Sequence, residues 1–159
     1  MALVDIFAAL EATPISTEMA ESSWLFPTVE SVHVIAVTLV VGAILVVDLR
    51  LAGLASRGRS ARQLADRILP ITWAAFGLAV LSGVLLFLAK PVSYSQNPFF
   101  LFKLGALALA GLNMAAFHFV VDRDRTAPEP PAAARYSGFA SLAIWVGVVA
   151  LGRWIGFTV

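Results

Sequence analysis

The sequence contains no cysteine and only two histidines, His33 and His118. The missing thiols exclude disulfides, thiolate metal sites, iron–sulfur clusters and covalent attachment of a c-type haem. Charge is scarce as well: 13% of the residues are charged, about half of what a soluble domain carries on average. The net charge of +1 offers no electrostatic footprint for nucleic acid. The opening stretch MALVDIFAALEATP lacks a basic region and carries Asp5, so it does not read as a signal peptide.

Apolar residues fill the space that charge leaves. They make up 60% of the chain, the mean hydropathy is +0.88, and they come in four long blocks. These run from about 29–51, 68–89, 99–121 and 137–157. Each is long enough as a helix to cross a hydrocarbon layer of roughly 30 Å at 1.5 Å per residue. The fold class expected is therefore all-α, an integral membrane four-helix transmembrane bundle over residues 24–159. Residues 1–23 form a separate interfacial segment. There Leu3, Ile6, Phe7 and Leu10 recur at the spacing of one helical face, and Thr13-Pro14 ends the amphipathic helix. Trp24 and Phe26 follow as interface anchors.

The separators read as loops. RGRSARQLADR holds Ser60 as an N-cap for a short interfacial helix, KPVSYSQNP is turn-rich, and DRDRTAPEPPAAAR is a charged, proline-rich linker. Arg50, Arg57, Arg59, Arg62 and Arg67 cluster after the first block, and Arg123, Arg125 and Arg135 after the third. The positive-inside rule places both clusters in the cytoplasm and both termini outside; the expected location is a bacterial inner (cytoplasmic) membrane, crossed several times.

Ionisable residues inside such blocks are costly and mark function or pairing. They fall into two groups. Near the outer end lie Glu30, His33, Lys103 and Arg153, with Tyr94 and Trp154 close by in depth. Near the cytoplasmic end lie Asp48 and His118, joined by the uncharged Asn113, with Trp73 and Tyr136 at similar depth. His33 stands roughly 25 Å from the Arg50 end of its helix, whereas His118 stands roughly 6 Å from its own cytoplasmic end. One haem clamped between the two histidines of a single chain is thereby excluded. His33 reads either as a ligand or as a hydrogen-bond partner of Glu30 one turn away. Asp48 and His118 read as a buried structural pair. Lys103 and Arg153 read either as snorkelling cations or as partners of an anion. Gly105, Ala108, Gly111 and Ala115 suggest close helix approach along the third block.

The first block, with His33, Gly42 and the closing DLRL at 48–51, resembles the first helix of the CopD and HemJ-type group of small membrane proteins. The stretch FKLGALALAGLNMAAFH resembles that group's K-L-rich helix, which often ends near an Asn. The resemblance spans roughly residues 24–121. It implies a haem b site in which the first-block histidine, here His33, is an axial ligand, and in which Lys103 faces a propionate or a substrate carboxylate. Copper handling, with His33 and Glu30, is the alternative that the CopD side of the group implies. The expected function is thus a haem b-binding membrane redox protein with cofactor-binding residues His33, Lys103, Arg153 and Glu30, and with His33 as the metal ligand. A copper-handling protein is the first alternative. A non-catalytic accessory subunit of a larger membrane complex is the second. The lipid bilayer is the expected partner, and the oligomeric state, a homo-oligomer or a larger complex, is left open.

Overall fold

The computed structural model describes residues 3–55, 58, 60–121 and 131–159. The expectations that rest on Arg57, Arg59, Arg123 and Arg125 lie outside the described residues. The described chain is all-helical. Four of its helices are long and apolar enough to cross a membrane: α3 (Leu25–Leu51), α4 (Ala61–Ala89), α6 (Pro98–Ala116) with a π-helical turn at Phe117–Val121, and α7 (Ala134–Ile155). Two short helices, α1 (Leu3–Glu11) and α2 (Pro14–Glu21), precede them, and α5 (Pro91–Gln96) joins α4 to α6.

Local chemistry sets the breaks. Pro14, Pro91 and Pro98 each stand at the start of a helix, where the missing N–H costs nothing and the fixed φ favours helix. Pro14 therefore begins a second N-terminal helix as well as ending the first. The turn-rich KPVSYSQNP is largely the helix α5. Asn97 caps α6: its Oδ1 accepts from the backbone N–H groups of Phe99 and Phe100 at 2.9 and 3.2 Å, and its Nδ2 donates to Thr158 Oγ1 at 2.8 Å. At the far end of α3, Gly53 takes φ +75, a left-handed conformation that stops a helix at little cost only when no Cβ is present.

The second long helix begins earlier than the hydropathy block. Ser60 does precede a helix start, but that helix is α4 itself rather than a short interfacial helix, and it runs through Pro70. Ala61 and Leu64 are buried, so packing continues the helix into its charged first turns.

The bundle is uneven. α3 packs against both α4 and α7, while the backbone of α6 approaches α7 but neither α3 nor α4 among the described residues. α6 contributes no buried residue. The α3–α7 crossing is tight at Gly138, where a Cβ would lie 3.0 Å from the Asp48 carbonyl and 3.2 Å from the Ala52 nitrogen. By contrast a Cβ at Gly105 or Gly111 would meet nothing within 4 Å. The close approach expected along the small residues of α6 thus belongs to α7.

At the other end, α1 packs on α5, and α2 on α4 and α3. Met19 and Ser16 of α2 are each only 1% exposed, and the Ser16 hydroxyl donates to the Leu10 carbonyl at 2.8 Å. The N-terminal helices are thus docked on the bundle. Phe87 of α4 gathers Phe7, Tyr94 and Phe100 around it, with ring centroids 5.8, 6.1 and 5.5 Å away. These rings bridge α4 and α6 where their backbones stand apart. The gap between the two helices is closed at this end.

Candidate functional site

His33 lies on α3 near the closed end and faces α4. Its Nδ1 is 3.0 Å from the hydroxyl of Ser82, a buried residue. The Ser82 hydroxyl also lies 2.7 Å from the Leu78 carbonyl, one turn back on α4. A serine has one hydroxyl proton, and the shorter contact to a carbonyl claims it. We therefore assign Nδ1–H as the donor and Ser82 Oγ as its acceptor. The Ala79 carbonyl is a second acceptor beside the imidazole. Nε2 is left with its lone pair. The absence of a side chain at Gly83 seats the ring: a Cβ there would lie 3.1 Å from His33 Cε1. The hydrogen-bond partner of His33 is thus Ser82, 49 residues away, and not Glu30 one turn back.

The other residues singled out from the sequence separate. Lys103 of α6 is the cation whose charge acts on the His33 ring, and its side chain passes Gly152 of α7, with Nζ 3.4 Å from where a Cβ would stand. Arg153 is exposed, and its guanidinium lies 4.5 Å from the centroid of the Phe157 ring on the same stretch of chain. It is occupied by a cation–π contact, while the next residue back, Gly152, is the one that meets Lys103. Glu30 is exposed and turns its charge toward Tyr94 of α5. Burial, first, and then the Glu30 carboxylate push the Tyr94 phenol above its ordinary value. Only His33 and Lys103 of the four expected residues are brought together.

The opposite end holds a cavity of about 340 Å³ in the gap between α4 and α6. All four long helices contribute to its wall, which is mostly apolar; Trp73, Phe76 and Trp145 give it aromatic faces. Asp48 and His118 both line it. They were expected to form a structural pair, yet no hydrogen bond joins them among the described residues. Asp48 is 6% exposed. Ser141 of α7 offers its carboxylate one side-chain hydrogen bond, and Oδ2 has no partner among the described residues. His118 sits in the π-helical turn with its ring 5.2 Å from that of Phe117. Asn113 is used to fasten α6 to α7, donating from Nδ2 to the Ser137 carbonyl at 3.1 Å. Trp73 reaches the cavity, whereas Tyr136 is 72% exposed.

Sequence reasoning missed Ser82, Gly83 and Ser141. A Ser-Gly pair inside an apolar helix is the one available signal: it marks a place where a neighbouring side chain sits close and finds a polar partner. Among the described residues no three His, Cys, Asp or Glu side chains gather into a metal-binding group, so a metal at His33 would draw further ligands from a cofactor or a partner. No curated protein and no solved structure matches the chain. A family model does match, over residues 23–158, which takes in all four long helices and both ends of the bundle, and the chain accordingly belongs to DUF6644, a family of unknown function.

Proposed function

We propose that this protein is a bacterial inner-membrane redox protein that binds haem b through His33, with its arginine-rich end in the cytoplasm and both termini outside. One observation carries the reading: His33 Nδ1 lies 3.0 Å from the Ser82 hydroxyl, whose own proton goes to the Leu78 carbonyl at 2.7 Å, an arrangement that makes Nδ1 the donor and Nε2 the nitrogen with the lone pair. Histidines that ligate metals commonly donate the other ring N–H to such a partner, which fixes the tautomer and the ring plane. The chemistry of the donors suits one face of a haem: His33 Nε2 would take the iron and the Lys103 ammonium a propionate. A bound haem supplies a one-electron carrier; the chain supplies ligand, orientation and an apolar surround. Four helices of spanning length among the described residues support the membrane placement, and an even number of crossings would leave both termini on one side.

The experiment is the visible spectrum of protein purified from haem-replete cells. A Soret band that His33→Ala abolishes, and that His118→Ala leaves in place, supports the reading. Wild-type protein with no Soret absorbance overturns it; copper found instead by metal analysis assigns the same nitrogen to copper.

A further inference from the structure

We infer that the cavity between α4 and α6 is a binding site for a small amphipathic amine, with its protonated nitrogen at Asp48 and its apolar body among Trp73, Phe76 and Trp145. This site is separate from His33 and does not depend on haem. His33 lies beside Ser82 and Gly83, toward the end of α4, while the cavity meets α4 between Ala61 and Phe76.

Four observations converge. The volume, about 340 Å³, lies at the lower end of the range for small-molecule sites. It suits a molecule of modest size and is too small to take up a whole phospholipid. The wall is mostly apolar and partly aromatic, so it takes up an apolar body and a cation–π contact strengthens the hold on a cation. Asp48 is 6% exposed and its Oδ2 lacks a hydrogen-bond partner among the described residues. A polar atom removed from water without a partner is costly, and a donor from a ligand removes that cost. The backbones of α4 and α6 do not approach each other here, so no helix–helix contact closes the cavity on that side.

The sign of the ligand follows from the charges that face the cavity. Arg62 and Asp66 stand one turn apart on α4 and cancel in sum; His118 stands on the α6 side. Asp48 remains as the excess charge, and it is negative. A carboxylate in the wall of an apolar chamber selects a positively charged donor over an anion. An ammonium group gives the charge and, once the carboxylate turns toward it, the N–H that the buried Oδ2 lacks.

The test uses the full chain in phosphatidylcholine nanodiscs, with naphthylethylamine as probe and naphthylethanol as its neutral counterpart, read by equilibrium dialysis and by the shift in thermal unfolding. The amine should bind saturably and at least about tenfold more tightly than the alcohol. Asp48→Asn, which keeps the shape and removes the charge, should lose that preference while leaving the weaker binding of the alcohol in place. Gly111→Leu puts a side chain into the open space on the α6 wall and should abolish binding of both; it serves equally well if Asp48→Asn does not fold. Equal affinity of amine and alcohol, preference retained in Asp48→Asn, or undiminished binding in Gly111→Leu each overturns the proposal. Displacement of the amine by phosphatidylethanolamine at lipid concentrations assigns the site to the lipid headgroup and overturns the small-molecule reading.

Discussion

The two ends of the bundle solve the same problem differently. α4 and α6 are separated along their length. At the end near α5 the separation is filled by the rings around Phe87 and capped by the N-terminal helices. At the other end it is left as a cavity. The polar residues follow suit. His33 at the filled end has its Nδ1–H satisfied by a neighbouring helix, while Asp48 at the hollow end keeps an oxygen without a partner. A buried polar group that finds a partner inside the protein fixes structure; one that does not is poised for something from outside.

If the filled end carries the rigidity, truncating its centre should cost most. Phe87→Ala removes three ring contacts at once and should lower stability by about 2–4 kcal/mol, measured by thermal unfolding in detergent. Met114→Ala, on the wall of the cavity and already 39% exposed, should cost under about 1 kcal/mol. Comparable losses for the two would erase the contrast.

Glycine substitutions sharpen it further. Gly138→Ala drives a Cβ to 3.0 Å from the Asp48 carbonyl, and backbone cannot rotate aside. It should cost about 1–3 kcal/mol. Gly83→Ala meets only the edge of an imidazole at 3.1 Å, which can shift, so its cost should stay below about 1 kcal/mol. Gly111→Ala, with open space around it, should be neutral or raise stability by up to about 1 kcal/mol through helix propensity. A neutral Gly138→Ala would show that the α3–α7 crossing is looser than drawn.

Much of this architecture was legible and some was not, for identifiable reasons. The four long helices were readable because a run of apolar residues of spanning length has few other solutions. The start of α4 was not: Arg62, Asp66 and Arg67 hide the buried Ala61 and Leu64, and Pro70 invites a break that tertiary packing overrides. Pro14 was read only as a terminator, although proline also begins helices. His33 stood out as an imidazole in an apolar run. Its partner Ser82 did not, because a serine in a helix satisfies itself on the carbonyl four residues back, as Ser82 also does with Leu78. Depth along each helix could be counted from the rise per residue, and that placed Asp48 and His118 together. Position around the bundle could not, so the chamber between them stayed invisible in the sequence. The same shortcoming put Arg153 beside His33, when only its neighbour Gly152 faces Lys103.

A smaller effect tests how His33 is held. Ser82→Ala removes the acceptor of Nδ1–H and should cost about 1 kcal/mol. The imidazole then has the Ala79 carbonyl as its remaining neighbour, so ring orientation should loosen more than the fold does. The nitrogen-15 spectrum of the histidine side chain reads this directly. In the haem-free chain, wild-type His33 should show one neutral tautomer with protonated Nδ1, and Ser82→Ala should show exchange between tautomers. A wild-type spectrum with protonated Nε2 would reverse the donor assignment.

The smallest expected effect lies at Tyr94, just outside the long helices. Its phenol is raised above the ordinary value of about 10 by burial first and by the Glu30 carboxylate second. The folded chain therefore holds that proton at pH values where the unfolded chain has lost it. The resulting stabilisation is fully present below the unfolded value, and it is lost as pH rises through the higher folded one. Tyr94 and Tyr136 are the two tyrosines of the sequence, so Tyr136→Phe isolates the signal. Titration of phenolate absorbance in that background should give a midpoint above the ordinary one. Glu30→Gln should bring it down by less than half of the displacement, because burial is the larger cause. A midpoint that falls all the way to the ordinary value would mean that the phenol is wetter than the ring cluster around Phe87 implies. The closed end of the bundle would then be as open to water as the cavity end.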